Sequence, residues 1–189
     1  MGIRVVGLGG TVRPHSSTEK SLRVALGAAA ELGAETVLLG ADALELPMYR
    51  PVPSGQAMDA RAAHFLDEIR RADALIIGSP GYHGGISGLV KNALDWIEEL
   101  RDEPRPYLDG MAVGCIATGA GWQATMTTMS ALRDVVHALR GWPTPLGATV
   151  NTTAATFAED GACSDPAIHA NLRTVGHQVM RFAQRGPAR

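Results

Sequence analysis

The chain of 189 residues is long enough for one domain with a single sizeable core. Hydrophobic residues make up 46% and charged residues 19%, which is typical of a globular protein. The formal net charge of −2 argues against a general electrostatic affinity for nucleic acid. We therefore expect small-molecule substrates and no nucleic-acid partner.

Metal and membrane sites are not expected either. Cys115 and Cys163 stand far apart, which argues against a disulfide framework or a zinc site. The six histidines show no ligand spacing near a carboxylate cluster, so no metal is predicted. No apolar stretch approaches the ~20 residues that span a bilayer, and the first strand begins directly after the N-terminal residues. The expectation is a cytoplasmic protein without a membrane contact.

Strand and helix patterns alternate along the chain. Short branched runs predict strands at 3–8, 35–40, 74–78, 111–117 and 147–150. Helical spacing predicts helices at 17–32, 58–71, 125–139 and 165–183. A further helix is predicted between the turn at 79–85 and about residue 100. In the last helix, Asp165 is expected to cap and Pro166 to take the first position. Residues 44–55 carry three prolines and an aromatic residue, Tyr49, that we expect to be exposed in a functional loop.

Five strands alternating with five helices predict an α/β fold with a doubly wound parallel sheet. Right-handed crossovers place helices on both faces of such a sheet. No second domain is indicated, so residues 1–189 are predicted to form a single domain. Ligands bind beyond the carboxyl ends of the strands in this architecture, and we expect functional residues just after the first, third and fourth strands.

The loop after the first strand, residues 9–19, has the composition of a phosphate site. Glycines allow close backbone approach, hydroxyls and Arg13 supply donors, and a helix begins here with its positive end. No carboxylate occurs before Glu19. The predicted phosphate-binding residues are Thr11, Arg13, Ser16, Ser17 and Thr18. The alternative is a capping box between Ser16 and Glu19 with Arg13 in solvent, and the two interpretations are compatible.

The spacing of the glycines limits the kind of phosphate. A dinucleotide fingerprint beginning at Gly7 requires glycine where Val12 stands, and the Gly-Lys-Ser/Thr of a Walker loop is absent. The loop therefore predicts a terminal phosphate monoester, such as the one that FMN carries.

The loop after the third strand carries the most specific pattern. It resembles the NAD(P)H-dependent FMN reductases of the flavodoxin-like superfamily, whose pattern is Ser-Pro-x-Tyr-Asn-x-x-x-x-Gly-x-Leu-Lys-Asn-x-Leu-Asp-Trp. The matching residues are Ser79, Pro80, Tyr82, Gly88, Lys91, Asn92, Leu94, Asp95 and Trp96. The first loop is similar to the family's Gly-Ser-x-Arg-x-x-Ser-x-Asn, with Thr11 and Thr18 as substitutions, and residues 46–49 resemble its Leu-Pro-x-Tyr segment.

The resemblance covers essentially the whole chain and implies a fold and an activity. The implied fold is a flavodoxin-like three-layer sandwich, a single FMN-binding domain whose five-stranded parallel sheet has the order 2-1-3-4-5. The implied activity is hydride transfer from NADPH or NADH to FMN, which needs no catalytic side chain. The reduced flavin would then serve a partner monooxygenase, or a retained FMN would reduce a quinone, an azo dye or a metal ion. A homodimer or homotetramer is implied as well.

The resemblance also implies which residues bind the isoalloxazine ring. They are Pro80, Gly81, Tyr82, His83 and Gly84 after the third strand and Thr118, Gly119, Ala120 and Gly121 after the fourth. Two of them depart from the family, since Gly81 replaces a common glutamate and His83 the usual asparagine. His83 either donates to flavin or substrate, or faces solvent.

Several neighbours of these loops have two interpretations. Trp122 either stacks on a ligand and covers the site or seals the start of a helix. Asn92 and Asp95 are expected to brace loops or a subunit contact. Trp96 belongs to an apolar stripe that is either core or dimer interface.

Two other classes of protein fit the pattern less well. A flavodoxin-like electron carrier would use the same phosphate loop, but such carriers need a strongly acidic surface, and the net charge of −2 argues against one. A Rossmann-type dehydrogenase needs glycine at Val12 and an acidic residue that ends the second strand, where Asp42 comes too late.

Overall fold

Strands and helices alternate along the computed structural model, which describes residues 2–53, 55–158 and 162–186. The strands are β1 (Arg4–Gly9), β2 (Glu35–Leu39), β3 (Ala74–Tyr82), β4 (Gly85–Ile86), β5 (Ala112–Gly119), β6 (Trp142–Pro143) and β7 (Ala148–Asn151). The helices are α1 (Ser17–Glu31), α2 (Ala41–Leu44), α3 (Ala60–Arg71), α4 (Gly88–Trp96), α5 (Trp122–Ala138) and α6 (Pro166–Ala183). A 3₁₀ turn at Ile97–Leu100 continues α4.

The sheet has the order β2-β1-β3-β5-β6, with β7 paired to the later part of β5. All of these pairs are parallel, so the predicted doubly wound arrangement is confirmed, and the fifth position is shared by β6 and β7. The predicted count of five strands differs from the observed seven for two local reasons. A tight hairpin folds β4 back on β3 as an antiparallel strand. Pro145, which has no N–H, lies in the gap that divides the last position.

Two cores lie on opposite faces of the sheet and define the three layers. Alternate residues of β3 serve different faces, because Leu75 and Ile77 belong to one core and Ile76 to the other. The first core contains residues of α3, α4 and α5, and the second contains residues of α1 and α6. Trp96 is buried in the first core, which settles its apolar stripe as core.

Local capping explains where the helices begin. The side chain of Asp165 accepts hydrogen bonds from the backbone N–H groups of Ala167 and Ile168, and Pro166 opens α6, as predicted. Asp59 caps α3 in the same way. Helix α5 begins three residues earlier than predicted, because Gly121 with a φ of 139° turns the chain into the helix soon after β5 ends.

The loops after β1 and β3 are held together by a close backbone approach. Gly9 has a φ of 144°, and a Cβ atom at this position would lie 2.0 Å from the carbonyl oxygen of Gly78. Only glycine fits there. Because β1 and β3 are parallel neighbours, the segments that follow them leave the sheet at the same edge. Within the three described ranges, no helix is both long and apolar enough to cross a bilayer.

Candidate functional site

A cavity of about 350 Å³ lies at the carboxyl ends of β1, β3 and β5. This is the size range of small-molecule sites and the edge of the sheet where ligands of doubly wound folds bind. Its lining residues are Thr11, Arg13, Ser16, Ser17, Thr18, Pro80, Gly81, Tyr82, Thr118, Gly119, Ala120 and Thr152. Of the residues predicted to bind the cofactor, all but His83, Gly84 and Gly121 lie in this lining.

The start of α1 faces the cavity with free backbone donors. Ser16 is the N-cap, and its hydroxyl accepts the backbone N–H of Glu19 at 3.3 Å. The Glu19 carboxylate accepts the backbone N–H of His15 at 3.0 Å. The capping interpretation therefore holds, except that Glu19 bonds the residue before the N-cap and not the N-cap itself. The backbone N–H groups of Ser17 and Thr18 have no partner within the helix at these first positions. Because both residues line the cavity, these donors are available to an anion.

Glu19 lies in the first turn of α1, next to these backbone donors, and an arginine compensates its negative charge. The Arg23 guanidinium donates to Glu19 at 2.7 Å, one helical turn away. Burial by itself raises the pKa of Glu19, but the hydrogen bonds from Arg23 and from the His15 N–H outweigh it and place the pKa below its usual value. No carboxylate occurs among the lining residues of the cavity, all of which belong to the described ranges.

Arg13 lies in a loop that Thr11 holds in shape. The Thr11 hydroxyl accepts the backbone N–H of Arg13 at 3.1 Å and donates to the carbonyl oxygen of the same residue at 3.0 Å. The Arg13 side chain is exposed and forms no ion pair with any residue in the described part of the chain. Its charge is therefore available to a phosphate at the mouth of the cavity.

The loop after β3 is a two-residue hairpin held by backbone contacts. Tyr82 pairs with Gly85, and the two residues between them, His83 and Gly84, have φ values of 50° and 87°. Positive φ at both central residues is the geometry of a type I′ turn, in which asparagine and histidine are tolerated better than most residues. The family's asparagine and this chain's His83 therefore suit the same backbone. His83 is exposed at the tip and lies outside the lining of the cavity.

The base of the hairpin is fixed by a buried serine. The Ser79 hydroxyl accepts the backbone N–H of Ser87 at 3.0 Å and donates to the carbonyl oxygen of Pro80 at 2.8 Å. Ser87 in turn caps α4 by accepting the N–H of Val90. The serine of the Ser-Pro motif thus positions the hairpin against α4 and does not itself line the cavity.

Gly81 is a packing requirement in this chain. A Cβ atom there would lie 2.5 Å from the hydroxyl oxygen of Thr128 and 2.9 Å from the carbonyl oxygen of Ala124, both on α5. The glutamate that is common in the family at this position would need α5 to shift. The glycine at this departure from the family pattern is therefore required by the contact between α5 and the hairpin in this chain.

The end of β5 and the residue after it line the cavity through Thr118, Gly119 and Ala120. Gly121 lies just outside as the N-cap of α5, which has no side-chain cap bond. Trp122 opens α5 with 54% of its surface exposed, so it does not seal the helix start. Tyr82 and Met126 are also about half exposed, and we name these three exposed apolar side chains the rim.

Thr18 and Thr118 join the two sides of the cavity. Their hydroxyl oxygens are 2.6 Å apart, and the two residues are 1% and 3% exposed. The contact links the first turn of α1 to the end of β5.

One lining residue was missed from the sequence. Thr152 follows β7, and its backbone N–H donates to the carbonyl oxygen of Gly119 at 2.9 Å. Sequence reasoning expected functional residues only after the first, third and fourth strands. The polar run from Asn151 to Thr153 directly after the last strand was the signal that could have found it.

The proline-containing segment at 46–49 is anchored to α4. The Asn92 side chain accepts the backbone N–H of Tyr49 at 2.8 Å and donates to the carbonyl oxygens of Leu46 and Pro47. The indole N–H of Trp96 also donates to Pro47. Asn92 therefore braces a loop, as one of its two interpretations stated.

Tyr49 was expected to be exposed, and this is wrong. Its ring packs edge-on against Trp96 at 5.3 Å, and its hydroxyl donates to Glu99 at 2.9 Å. Burial and the Glu99 carboxylate raise the pKa of Tyr49 to about 12. Asp95, which was considered together with Asn92, pairs with Lys91 on the surface of α4.

Within residues 2–53, 55–158 and 162–186, no group of three or more histidine, cysteine, aspartate or glutamate side chains is placed to hold a metal ion. Burial raises the pKa of the Cys115 thiol to about 12, so this cysteine is not an activated nucleophile. The chemistry available at the cavity is the binding of a phosphate-bearing ligand by hydroxyls, backbone donors and one arginine.

The doubly wound parallel sheet, with its cavity at the carboxyl edge, has the flavodoxin-like fold. The fold is similar to that of the flavoenzyme NAD(P)H:(acceptor) oxidoreductase FerB from Paracoccus denitrificans, with a TM-score of 0.77 and 22% identity over 98% of this chain and 100% of that one. Residues 3–156 match the model of the NADPH-dependent FMN reductase family. The chain belongs to this family.

Relatives in sequence agree with this assignment. The chain is 28% identical over 134 residues to an NAD(P)H-dependent FMN reductase of Pseudomonas aeruginosa, which covers 71% of this chain and 69% of the relative. It is 30% identical over 145 residues to an FMN-dependent NADPH-azoreductase of Staphylococcus aureus, which covers 76% and 73%. The protein is therefore an FMN-using oxidoreductase with a reduced nicotinamide as electron donor.

Proposed function

We propose that the cavity at the ends of β1, β3 and β5 is the FMN site and that the protein reduces this FMN with NADPH or NADH. The observation that carries the proposal is the cradle at the start of α1. It combines the guanidinium of Arg13, which pairs with no described residue, with the backbone donors of Ser17 and Thr18, in a cavity without a lining carboxylate. These donors suit a phosphate monoester, with the hydroxyls of Thr11 and Ser16 beside it.

The ring is assigned to the opposite end of the cavity. The proposed ring-binding residues are Pro80, Gly81, Tyr82, His83, Gly84, Thr118, Gly119, Ala120 and Gly121. Their contribution is mainly backbone N–H and C=O groups on a stiff hairpin, which orient the ring and keep water from one of its faces. Bound FMN supplies the redox chemistry, by accepting a hydride from the nicotinamide and passing the electrons on. Arg13 holds the phosphate end in register while this occurs.

The test is nicotinamide oxidation under air by the purified protein, with and without added FMN. We expect oxidation of NADPH or NADH that increases with FMN until the site is filled. Absence of FMN-dependent oxidation with both nucleotides would overturn the proposal. Comparing the two nucleotides at equal concentration also determines which one the protein prefers.

The rim is also compatible with a retained FMN that passes its electrons to a quinone or an azo dye. Tyr82 and Trp122 present exposed aromatic surface beside the cavity, where a planar quinone or azo dye can stack. The Staphylococcus aureus relative bears the name of an azoreductase. If the rate of azo-dye reduction stops rising once one equivalent of FMN has been added, the result supports a retained flavin. A rate that keeps rising with free FMN supports a flavin that leaves, as supply to a monooxygenase requires.

The rim also supports a homodimer or homotetramer. Tyr82, Trp122 and Met126 lie on the hairpin and the first two turns of α5, and exposed apolar patches of this kind mark interfaces. Sedimentation of the wild type and of a Trp122→Glu variant tests this directly, because a rim interface predicts dissociation of the variant. The cytoplasmic location and the monooxygenase partner stay predictions from the sequence.

A further inference from the structure

The hydroxyl pair of Thr18 and Thr118 forms a buried polar link across the cavity. The two residues are 100 positions apart in sequence, yet their oxygen atoms lie 2.6 Å apart. Both residues also line the cavity. The pair is therefore buried from solvent at the wall of the cavity.

The two hydroxyls have more hydrogen-bonding capacity than their single contact uses. Each hydroxyl carries one proton and two lone pairs, and the contact between them uses one proton. Within the described ranges, neither hydroxyl makes a second hydrogen bond to protein. One proton therefore remains to be donated, and a ligand in the cavity is the acceptor that the geometry offers.

The location of the pair distinguishes it from the phosphate cradle. The methyl carbon of Thr18 lies over Gly78 of β3, 3.1 Å from the point where a Cβ atom would stand. Thr118 is in register with Pro80 on the same strand. The pair thus crosses β3 between the loop that carries Arg13 and the loops assigned to the ring. Arg13 is exposed at the mouth, whereas the pair is buried.

We propose that the Thr18–Thr118 pair acts as one donor to the ribityl chain of FMN, and that the Thr18 side chain does not hold the phosphate. The inference rests on the proposed FMN site. In FMN the polyhydroxyl ribityl chain joins the phosphate to the ring, so it must pass between the two ends of the cavity. The backbone N–H of Thr18 stays with the phosphate, while its hydroxyl belongs to the next part of the ligand.

The first experiment measures FMN affinity of Thr18→Val, Thr118→Val and the double variant. Valine keeps the shape and removes the hydroxyl. We expect the more affected single variant to bind FMN about 3- to 10-fold more weakly, the usual effect of one neutral hydrogen bond. The double variant is expected to bind no more weakly than that single variant, because one donor is lost in both cases. Losses that multiply in the double variant would overturn the idea of a single donor.

Serine variants and the double variant protect this test from folding effects. Thr18→Ser and Thr118→Ser keep the hydroxyls, so they are expected to restore affinity to within about 2-fold of the wild type, which a purely steric role would not do. The double valine variant leaves neither hydroxyl without its partner, and it is expected to fold even where a single variant does not.

The second experiment separates ribityl from phosphate binding. Thr18→Val is combined with Arg13→Ala, and FMN affinity is measured for both single variants and the combination. Multiplying losses are expected when the two side chains contact different parts of FMN. If the combined variant loses much less FMN affinity than the product of the two single fold-losses, the Thr18 hydroxyl contacts the phosphate, and the inference is overturned. A wild type that binds no FMN would instead refute the proposed function.

Discussion

The two loops that flank the cavity differ in what their side chains do. In the loop after β1, Arg13 is exposed and unpaired with any described residue, and the helix start leaves backbone donors free. In the hairpin formed by the end of β3 and by β4, Ser79 is fully buried and uses its hydroxyl for protein contacts, while Gly81 packs against α5. Each loop carries one histidine with a positive φ, His15 or His83, so backbone shape alone does not separate them.

In the proposed FMN site, this difference corresponds to the different demands of the two ends of the ligand. A phosphate carries charge, and its recognition requires donors that the protein leaves unsatisfied until the ligand arrives. A flat ring needs a rigid surface and correctly aimed backbone groups, which the hairpin obtains from its own internal contacts. Substitutions in the first loop should therefore change affinity with little effect on stability, and substitutions in the hairpin should change stability first.

Arg13→Ala should give the largest effect. We expect FMN affinity to fall by about 10- to 100-fold, as for a charge-assisted hydrogen bond, while the free energy of unfolding changes by less than about 0.5 kcal/mol. Affinity by fluorescence titration and stability by urea unfolding check the two parts. Arg181→Ala removes the same charge near the end of α6 and should leave FMN affinity unchanged. Equal losses in both variants would show that only net charge matters.

Gly81→Ala should act on the hairpin. The added methyl group meets the Thr128 hydroxyl and the Ala124 carbonyl group at short distance, so we expect the free energy of unfolding to fall by about 2 kcal/mol. Gly85→Ala is the matched control in the same hairpin, since no atom lies within 4 Å of its added Cβ. If the two variants are equally stable, close packing by α5 does not explain the glycine.

Glu19→Gln tests the electrostatic support of the first loop. Because the folded pKa of Glu19 is lowered, its stabilisation is present above the ordinary carboxyl pKa of 4.5 and is lost as pH falls below it. At pH 7 the variant is expected to be less stable by about 1 kcal/mol, and near pH 3 the difference should nearly vanish. Urea unfolding at both pH values measures this, and a difference that grows in acid would contradict the assignment.

His83→Asn and His15→Asn should produce the smallest effects. Both positions have a positive φ, which asparagine adopts readily, so each variant is expected to be as stable as the wild type or more stable by about 0.5 kcal/mol. We expect unchanged FMN affinity for His83→Asn, since the hairpin tip is assigned to the ring through its backbone groups and asparagine suits the same backbone. A clear loss of FMN affinity in His83→Asn would show that the His83 side chain itself contacts the ligand.

Most of the fold and much of the site followed from local patterns. The alternation of branched runs with helical runs predicted a doubly wound parallel sheet. The motif from Ser79 to Trp96 predicted the family, and the resemblance implied the order of the strands. The departures were local events that patterns describe poorly. The hairpin that creates β4 and the division of the last strand into β6 and β7 depend on single turn residues and on Pro145.

The sequence by itself determined the family, through the motif from Ser79 to Trp96. It also predicted a phosphate-bearing ligand, because residue types such as Arg13 and their spacing from a helix start suit a phosphate. Only the tertiary structure decided which residues share the cavity and what each side chain is free to do. The pairing of Thr18 with Thr118, the contribution of Thr152 and the need for glycine at 81 are all contacts between distant segments. Such contacts depend on which strand ends become neighbours, and that is a property of the folded sheet.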